Sequence, residues 1–292
     1  MTFSFLIKDL CWHSLIFFIF TVLGYFAAAG GLYWFLYLRQ SSRFVIDSTK
    51  QTTKAIWQSV RSDVILSVLS SGIFSVCAAL MTTVYQLGYT RLYLQPEQYG
   101  LGYIGLSLVL VLILQDTYFY FTHRLSHHPR CYRWLHQGHH HSKNPTPWTA
   151  FAFDPAEAMV QAIYLVGVTM VIPMHLSVLI AVVLVMTLGA LIHHFGLRLF
   201  KASAMGNWLG SWLVGPTHHW LHHRKYTVHY SLYFTFWDRV LGTQHPGYED
   251  VLSSSVAEKK IASNAKIANI ETAQAALSGK TVPFPLPFKK AS

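Results

Sequence analysis

Charge is scarce in this chain. Asp, Glu, Lys and Arg together make up 12% of its 292 residues, against 52% hydrophobic and 15% aromatic, which argues against an ordinary soluble fold. Cysteine is scarcer still. Cys11, Cys77 and Cys131 are odd in number and share no metal-binding spacing, so neither a disulfide framework nor a thiolate metal site follows. No HExxH helix of a zinc hydrolase occurs, and there is no solenoid repeat or low-complexity block. No haem or flavin domain is recognisable, so any redox chemistry draws its electrons from outside the chain. The first apolar run lacks the small-residue cleavage site of a secretory signal, and no lipidation or retention signal closes the chain.

What is present is long apolar runs. Leu10 to Leu38 carries no charge and exceeds the roughly 20 residues that span a bilayer. Val64 to Tyr85 is a second such run, and Leu101 to Phe121 a third whose single charge is Asp116. Two shorter runs, Ala158 to Ile172 and Ser177 to Ile192, are joined by Pro173-Met-His-Leu176 and read as a tight hairpin whose ends emerge on one side. The loop from Arg39 to Asp63 holds five basic residues (Arg39, Arg43, Lys50, Lys54, Arg61) against two acids, which predicts a cytoplasmic location for it. With that loop inside, the third span and the hairpin deliver their C-terminal ends to the same face. The net charge of +10 then reads as attraction to an anionic membrane surface, not as nucleic-acid binding.

Fifteen of the seventeen histidines lie between Pro96 and Tyr230, and most fall in three clusters. These are His123-Arg-Leu-Ser-His127, His136-Gln-Gly-His139-His140 and His219-Trp-Leu-His222-His223. Residues three or four apart share a helix face, so each cluster aims two or three ring nitrogens at a common point. His194, at the end of the hairpin, adds a ligand from a separate element, and His218 stands as a ligand or an outer donor. His128 and His141 are read as non-ligands, His193 as the weaker of its pair, His175 as structural, and His13 and His245 as incidental. An all-imidazole set suits zinc, iron, copper or nickel better than magnesium or calcium. Eight to ten histidines exceed the needs of one tetrahedral zinc, so two metals are implied. Asp116, two helical turns before His123, is a functional candidate because a carboxylate in a span is costly; its expected task is to accept a hydrogen bond from a ligand histidine or to balance Arg124.

These residues carry a resemblance. Asp116-Thr-Tyr-Phe-Tyr-Phe-Thr-His123-Arg124-Leu-Ser-His127, Leu135-His136-Gln-Gly-His139-His140-His-Ser142-Lys-Asn144-Pro145, His194-Phe-Gly196 and His218-His219-Trp-Leu-His222-His223, closed by Trp237-Asp238-Arg-Val-Leu-Gly242-Thr243, resemble the fatty acid hydroxylase and sterol desaturase superfamily of membrane di-iron oxygenases. The resemblance implies an all-α, multi-pass bundle of four or five spans, capped by a cytosolic helical domain that holds a di-metal site. It covers about Gln115 to Thr243. Around the ligands it implies outer roles for Asp154, Glu157, His229 and Asp238. The chain has Asp154-Pro155-Ala-Glu157 where many relatives have His-Pro-x-x-Glu, and His229-Tyr230-Ser231 where they have Asn-Tyr-Gly.

The organisation expected is membrane spans and a basic loop over 1–95, a histidine-box catalytic region over 96–250, and a tail over 251–292 that is partly disordered, with a helix from Glu258 to Leu277. The function expected is hydroxylation or desaturation of a lipid C–H bond, such as that of a sterol or fatty acyl chain, using two iron ions, O2 as co-substrate and electrons from a separate redox protein. Arg198, Lys201, Arg224 and Lys225 are candidates for docking an acidic donor. Zinc is an alternative occupant of the purified protein. A metal transporter would put its ligands at mid-membrane, whereas these clusters lie beyond span ends; a zinc hydrolase or a metal-binding scaffold are the other rivals.

Overall fold

Apolar composition without a long run of strand-forming alternation leaves helices as the way to satisfy the backbone inside a bilayer. The computed structural model describes residues 3–39, 53–195 and 204–252, and within them the chain is a helical bundle. Helix α1 (Phe3–Tyr25) runs on through π-helical turns Phe26–Gly30, the short α2 (Gly31–Tyr33) and Trp34–Arg39. It packs along α3 (Thr53–Gln86), then α4 (Gly100–Ser126) follows, and the predicted hairpin appears as α6 (Pro155–Val171) and α7 (Leu176–His193). Between α4 and α6 lies the short α5 (Pro129–Leu135). Four helices are long and apolar enough to cross a membrane: Ser4–Leu36, Ile56–Gln86, Gly100–Ser126 and Leu176–His193. The chain is thus a multi-pass membrane protein, with Pro155–Val171 a shorter apolar helix.

Small hydroxyls let α3 approach its neighbours. Ser67, Ser71 and Ser75 are buried one turn apart, and the hydroxyls of Ser71 and Ser75 donate back to the carbonyls of Ser67 and Ser71 at 2.7 and 2.6 Å, so no polar group is left for lipid to meet. An apolar core of Val111, Val168, Met174, Val178, Leu179 and Val182 joins α4, α6 and α7. At the hairpin tip, β2 (Met174–His175) pairs in parallel with β1 (Leu92–Tyr93), and Arg91 N donates to Thr169 O at 2.7 Å. This short ladder ties the tip to the loop between α3 and α4, on the face opposite the histidine clusters.

On the histidine face, α8 (Ala204–Trp212), α9 (Pro216–Lys225) and α10 (Phe236–Val240) complete the described chain. Pro216 at the first position of α9 and Pro155 at that of α6 use a residue pre-set for a helix start. The tail helix expected over 258–277, and Gly196, Arg198 and Lys201, lie outside the described residues.

Candidate metal centre

The last turn of α4 carries His123, with His127 as its C-terminal cap. His136 to His140 form a compact turn after α5, ending in a 3-10 segment at His139–His141. α9 carries the third cluster, and His194 caps α7. The side chains assemble into two groups: His123, His127, His136, His140 and His222, and His139, His194, His219 and His223, with the candidate ligand atoms of each group within 4.8 Å of one another. The two HxxHH segments interlock. Each gives its i,i+4 pair to one group and its middle histidine to the other, since His136 and His140 join His222, while His219 and His223 join His139.

The outer nitrogens explain why the inner ones point inward. The Nδ1 atoms of His123, His139, His194 and His222 donate to the backbone carbonyls of Tyr230, Ala152, Ala190 and Val228 at 2.9, 3.0, 2.6 and 2.8 Å, and His136 Nδ1 lies 2.8 Å from the buried Glu157 carboxylate. A proton held on Nδ1 leaves a lone pair on Nε2. His123 and His136 then face each other Nε2 to Nε2 at 3.0 Å, two acceptors with no proton between them. His140 and His222, His194 and His219, and His219 and His223 also approach Nε2 to Nε2 at 3.0 Å, and in the first two pairs the Nδ1 hydrogen bond of His222 or His194 leaves one of the facing nitrogens as an acceptor. Opposed lone pairs at this separation are repulsive unless a cation lies between them. The donor set therefore fits a metal in each group.

Burial keeps these imidazoles neutral. His139 falls to about 4, and His136, His140, His194, His219, His222 and His223 are held well below the usual imidazole range, first by desolvation and then by neighbouring histidines. Neutral imidazole is the ligating form.

His218 belongs to neither group. Its Nε2 is 3.2 Å from Asp238 Oδ2, and its ring stacks on His229 at 3.9 Å. Asp238 also accepts from Tyr230 N, Ser231 N and the Thr243 hydroxyl at 2.8, 3.1 and 2.7 Å. Burial acts to raise this carboxyl, but the hydrogen bond and charge of His218, with the Thr243 hydroxyl, outweigh it and hold the group well below the usual carboxylate range. The Trp-Asp-xxx-Gly-Thr segment thus fixes the Tyr230 peptide, whose carbonyl receives His123. Next to Tyr230, His229 adopts φ +64°, donates from Nδ1 to His218 O at 3.0 Å and accepts from His245 N at 2.9 Å. Asp154 accepts from Gly138 N at 2.7 Å and His139 N at 3.4 Å, bracing the turn between His136 and His139.

Asp116 takes neither expected partner. Its Oδ1 accepts from the backbone N–H groups of Tyr233 and Phe234 at 2.7 and 3.3 Å, while Arg124 donates to the Tyr120 hydroxyl at 3.3 Å. Of the histidines set aside as non-ligands, His128 and His175 accept from Arg130 N and Ser177 N as helix N-caps, His13 pairs with Asp9 at 3.3 Å, and His193 is buried beside His219. Sequence reasoning missed Asp63 on α3, buried and receiving the Ser142 and Thr149 hydroxyls at 2.6 and 2.7 Å. It clamps the segment after His140, and nothing local signalled it, since in sequence it closes a basic stretch just before the apolar run that starts at Val64.

Residues 108–243 match the fatty acid hydroxylase family. Similar curated proteins include the Delta(7)-sterol 5(6)-desaturase ERG3B of Gibberella zeae, 31% identical over 53% of this chain and 47% of that protein. Lathosterol oxidase of Homo sapiens is 28% identical over 63% of this chain and 60% of its own length. Methylsterol monooxygenase 1 of Rattus norvegicus is 25% identical over 79% and 74%. The chain thus spans about half the length of the first of these relatives. No solved structure matches it.

Proposed function

We infer, for a chain that belongs to the fatty acid hydroxylase and sterol desaturase superfamily, a membrane-bound oxygenase that removes hydrogen from a C–H bond of a sterol or similar lipid, with hydroxylation or desaturation as the outcome. The observation that carries this reading is the pair of inward-facing imidazole groups at the membrane-proximal end of α4 and α7. His123, His127, His136, His140 and His222 would hold one iron, and His139, His194, His219 and His223 the other. When bound, the two irons supply activation of dioxygen to the level needed to attack an unactivated C–H bond, with electrons from a separate redox protein.

The chain's own residues position and insulate. The carbonyls of Tyr230, Ala152, Ala190 and Val228 hold four imidazoles in the ligating tautomer, and Glu157 holds His136. Asp238 and Asp154 fix the peptides next to the ligands. Eight of the nine imidazoles are buried, with His127 half-buried, which keeps water from the reacting carbon. The spacing of the lipid carbon from the two groups decides between hydroxylation and desaturation; the HxxxH spacing of the first cluster favours hydroxylation. A cytoplasmic location for the histidine face rests on the basic residues of the 39–63 stretch, of which 53–63 form the first turns of α3 and not a loop. Arg224 and Lys225, exposed at the end of α9, would meet an acidic electron donor there.

The test is metal content and Mössbauer signature of the detergent-purified protein against a His139→Ala, His222→Ala double variant, which removes one imidazole from each group. About two irons per chain, lost in the variant, followed by turnover in a screen of sterols and fatty acyl lipids, is the expected result. Stoichiometric zinc that iron cannot replace in an active form would move the assignment to a zinc-binding membrane protein, a transporter or hydrolase.

A further inference from the structure

A span should not need a carboxylate, yet Asp116 lies well inside α4. Tyrosines mark the far interface. The Tyr99 ring lies tilted against Tyr93 and Tyr103 at 4.9 and 5.0 Å, and the Tyr103 hydroxyl donates to Pro173 O at the hairpin tip, a cluster of the kind that forms an aromatic belt at a bilayer surface. Counting from Tyr99 at about 1.5 Å per residue, Thr117 is about 27 Å into the helix, and from Tyr103 about 21 Å. Both lie inside a hydrocarbon layer about 30 Å thick, and any tilt of α4 places Thr117 deeper. His123 is about 36 Å from Tyr99 and about 30 Å from Tyr103, at the edge of that layer.

At that depth α4 holds a piece of chain that is not a span. Gln115 Oε1 accepts from the Tyr233 hydroxyl at 2.9 Å, Asp116 accepts the two backbone N–H groups of Tyr233 and Phe234, and Thr117 Oγ1 accepts from Trp237 Nε1 at 3.2 Å. The Trp237 ring sits 5.3 Å from that of Phe121. Non-helical backbone is tolerated at membrane depth only where its polar groups are satisfied by protein, and that is the service Asp116 performs. The outward side chains of this piece are apolar: Phe234, Phe236, Val240 and Leu241 are 41%, 50%, 58% and 37% exposed. At the end of α8, Trp208 and Trp212 are 58% and 44% exposed. Arg239, within this piece, lies with its guanidinium over the Trp212 ring at 4.4 Å, donates to Ser211 O and pairs with Glu249 at 3.7 Å, so its charge is met by protein while its stem lies along the patch.

We propose that Phe234–Leu241, together with the C-terminal end of α8, inserts into the bilayer leaflet on the histidine side and makes lipid contact continuous with the exposed face of α4. The occupant is lipid because the patch continues the exposed Phe121 and Leu125 surface of a span at the boundary between the hydrocarbon layer and the headgroups. A helix of this kind lies in the interface with its apolar face in the acyl boundary.

The wild-type protein is reconstituted in phosphatidylcholine vesicles containing a phospholipid with a diazirine close to its headgroup, photolysed, and mapped by mass spectrometry. Adducts on peptides containing residues 208–212 and 234–241, and none on the Arg224–Lys225 end of α9, are expected. In parallel, Phe236→Cys and Val240→Cys should react with a membrane-impermeant maleimide several-fold more slowly than Lys225→Cys in vesicles opened to the reagent on both sides. Equal rates at all three positions, with no lipid adducts, would overturn the proposal. So would a disulfide between two copies of Phe236→Cys without lipid adducts, which would assign the patch to a second copy of the chain.

Discussion

Glu157 is the outer residue whose loss can be worked through atom by atom. In Glu157→Ala the His136 Nδ1–H loses the carboxylate 2.8 Å away, in a place where His136 is 1% exposed. An unpaired buried donor costs about 1–3 kcal/mol. The ring escapes that cost by moving its proton to Nε2, where it points at the His123 Nε2 and occupies the lone pair a metal needs. Loss of an outer partner weakens metal binding by about 10- to 100-fold, or about 1.4 to 2.7 kcal/mol. Equilibrium titration of iron against a competing chelator should therefore show one of two equivalents weakened by that amount, in the five-histidine group, while the four-histidine group keeps its affinity. Glu157→Gln retains an oxygen acceptor and should stay within a few-fold of wild type. If Glu157→Ala holds both equivalents as tightly as wild type, the carboxylate does not set the His136 tautomer and the reasoning fails.

Asp238→Ala leaves His218 buried without its partner and frees Tyr230 N, so it should destabilise the fold by about 3–5 kcal/mol, seen as a lowered thermal transition in detergent; an unchanged transition would deny Asp238 its organising role. Gly138→Ala would press a methyl group into the Asp154 carboxylate and to 3.0 Å from Leu66 Cδ1, loosening the His136–His140 turn, and metal retention through desalting should drop with helix content unchanged. In the metal-free protein, the unfolded chain takes up histidine protons below about 6.5, whereas folded His139 resists until about 4. Stability should be level above that window and fall as pH drops through it, and a melting temperature flat from pH 7 to 4 would contradict the depressed imidazole basicity.

The clustering histidines and the apolar helices are legible because both leave local marks, a spacing of three or four residues and a long uncharged run. What supports them was hidden by sequence distance. The carbonyls that hold the imidazoles belong to Tyr230, Ala152, Ala190 and Val228, and any residue type offers a carbonyl. Asp116 meets Tyr233 across 117 positions, so its task as a backbone acceptor has no local trace, and pairing it with nearby His123 or Arg124 was the natural local reading. His218 precedes His219 directly, yet it serves Asp238, because neighbours on a helix point about 100° apart and the sequence does not say which direction faces the other histidines. Asp63 was passed over because its hydroxyl partners, Ser142 and Thr149, come from a loop that periodicity does not describe.

The two-residue ladder at the hairpin tip has a geometric consequence at the other end of the molecule. With Met174 fixed against Leu92, the 18-residue α7 becomes a measuring rod about 27 Å long, and His194 is the mark at its end. Adding one residue to the rod would advance that mark by about 1.5 Å and swing it by about 100°, so depth and bearing cannot be adjusted separately. The ladder turns a count of residues into a coordinate, and the distance of His194 from the hairpin tip is written in the length of one helix.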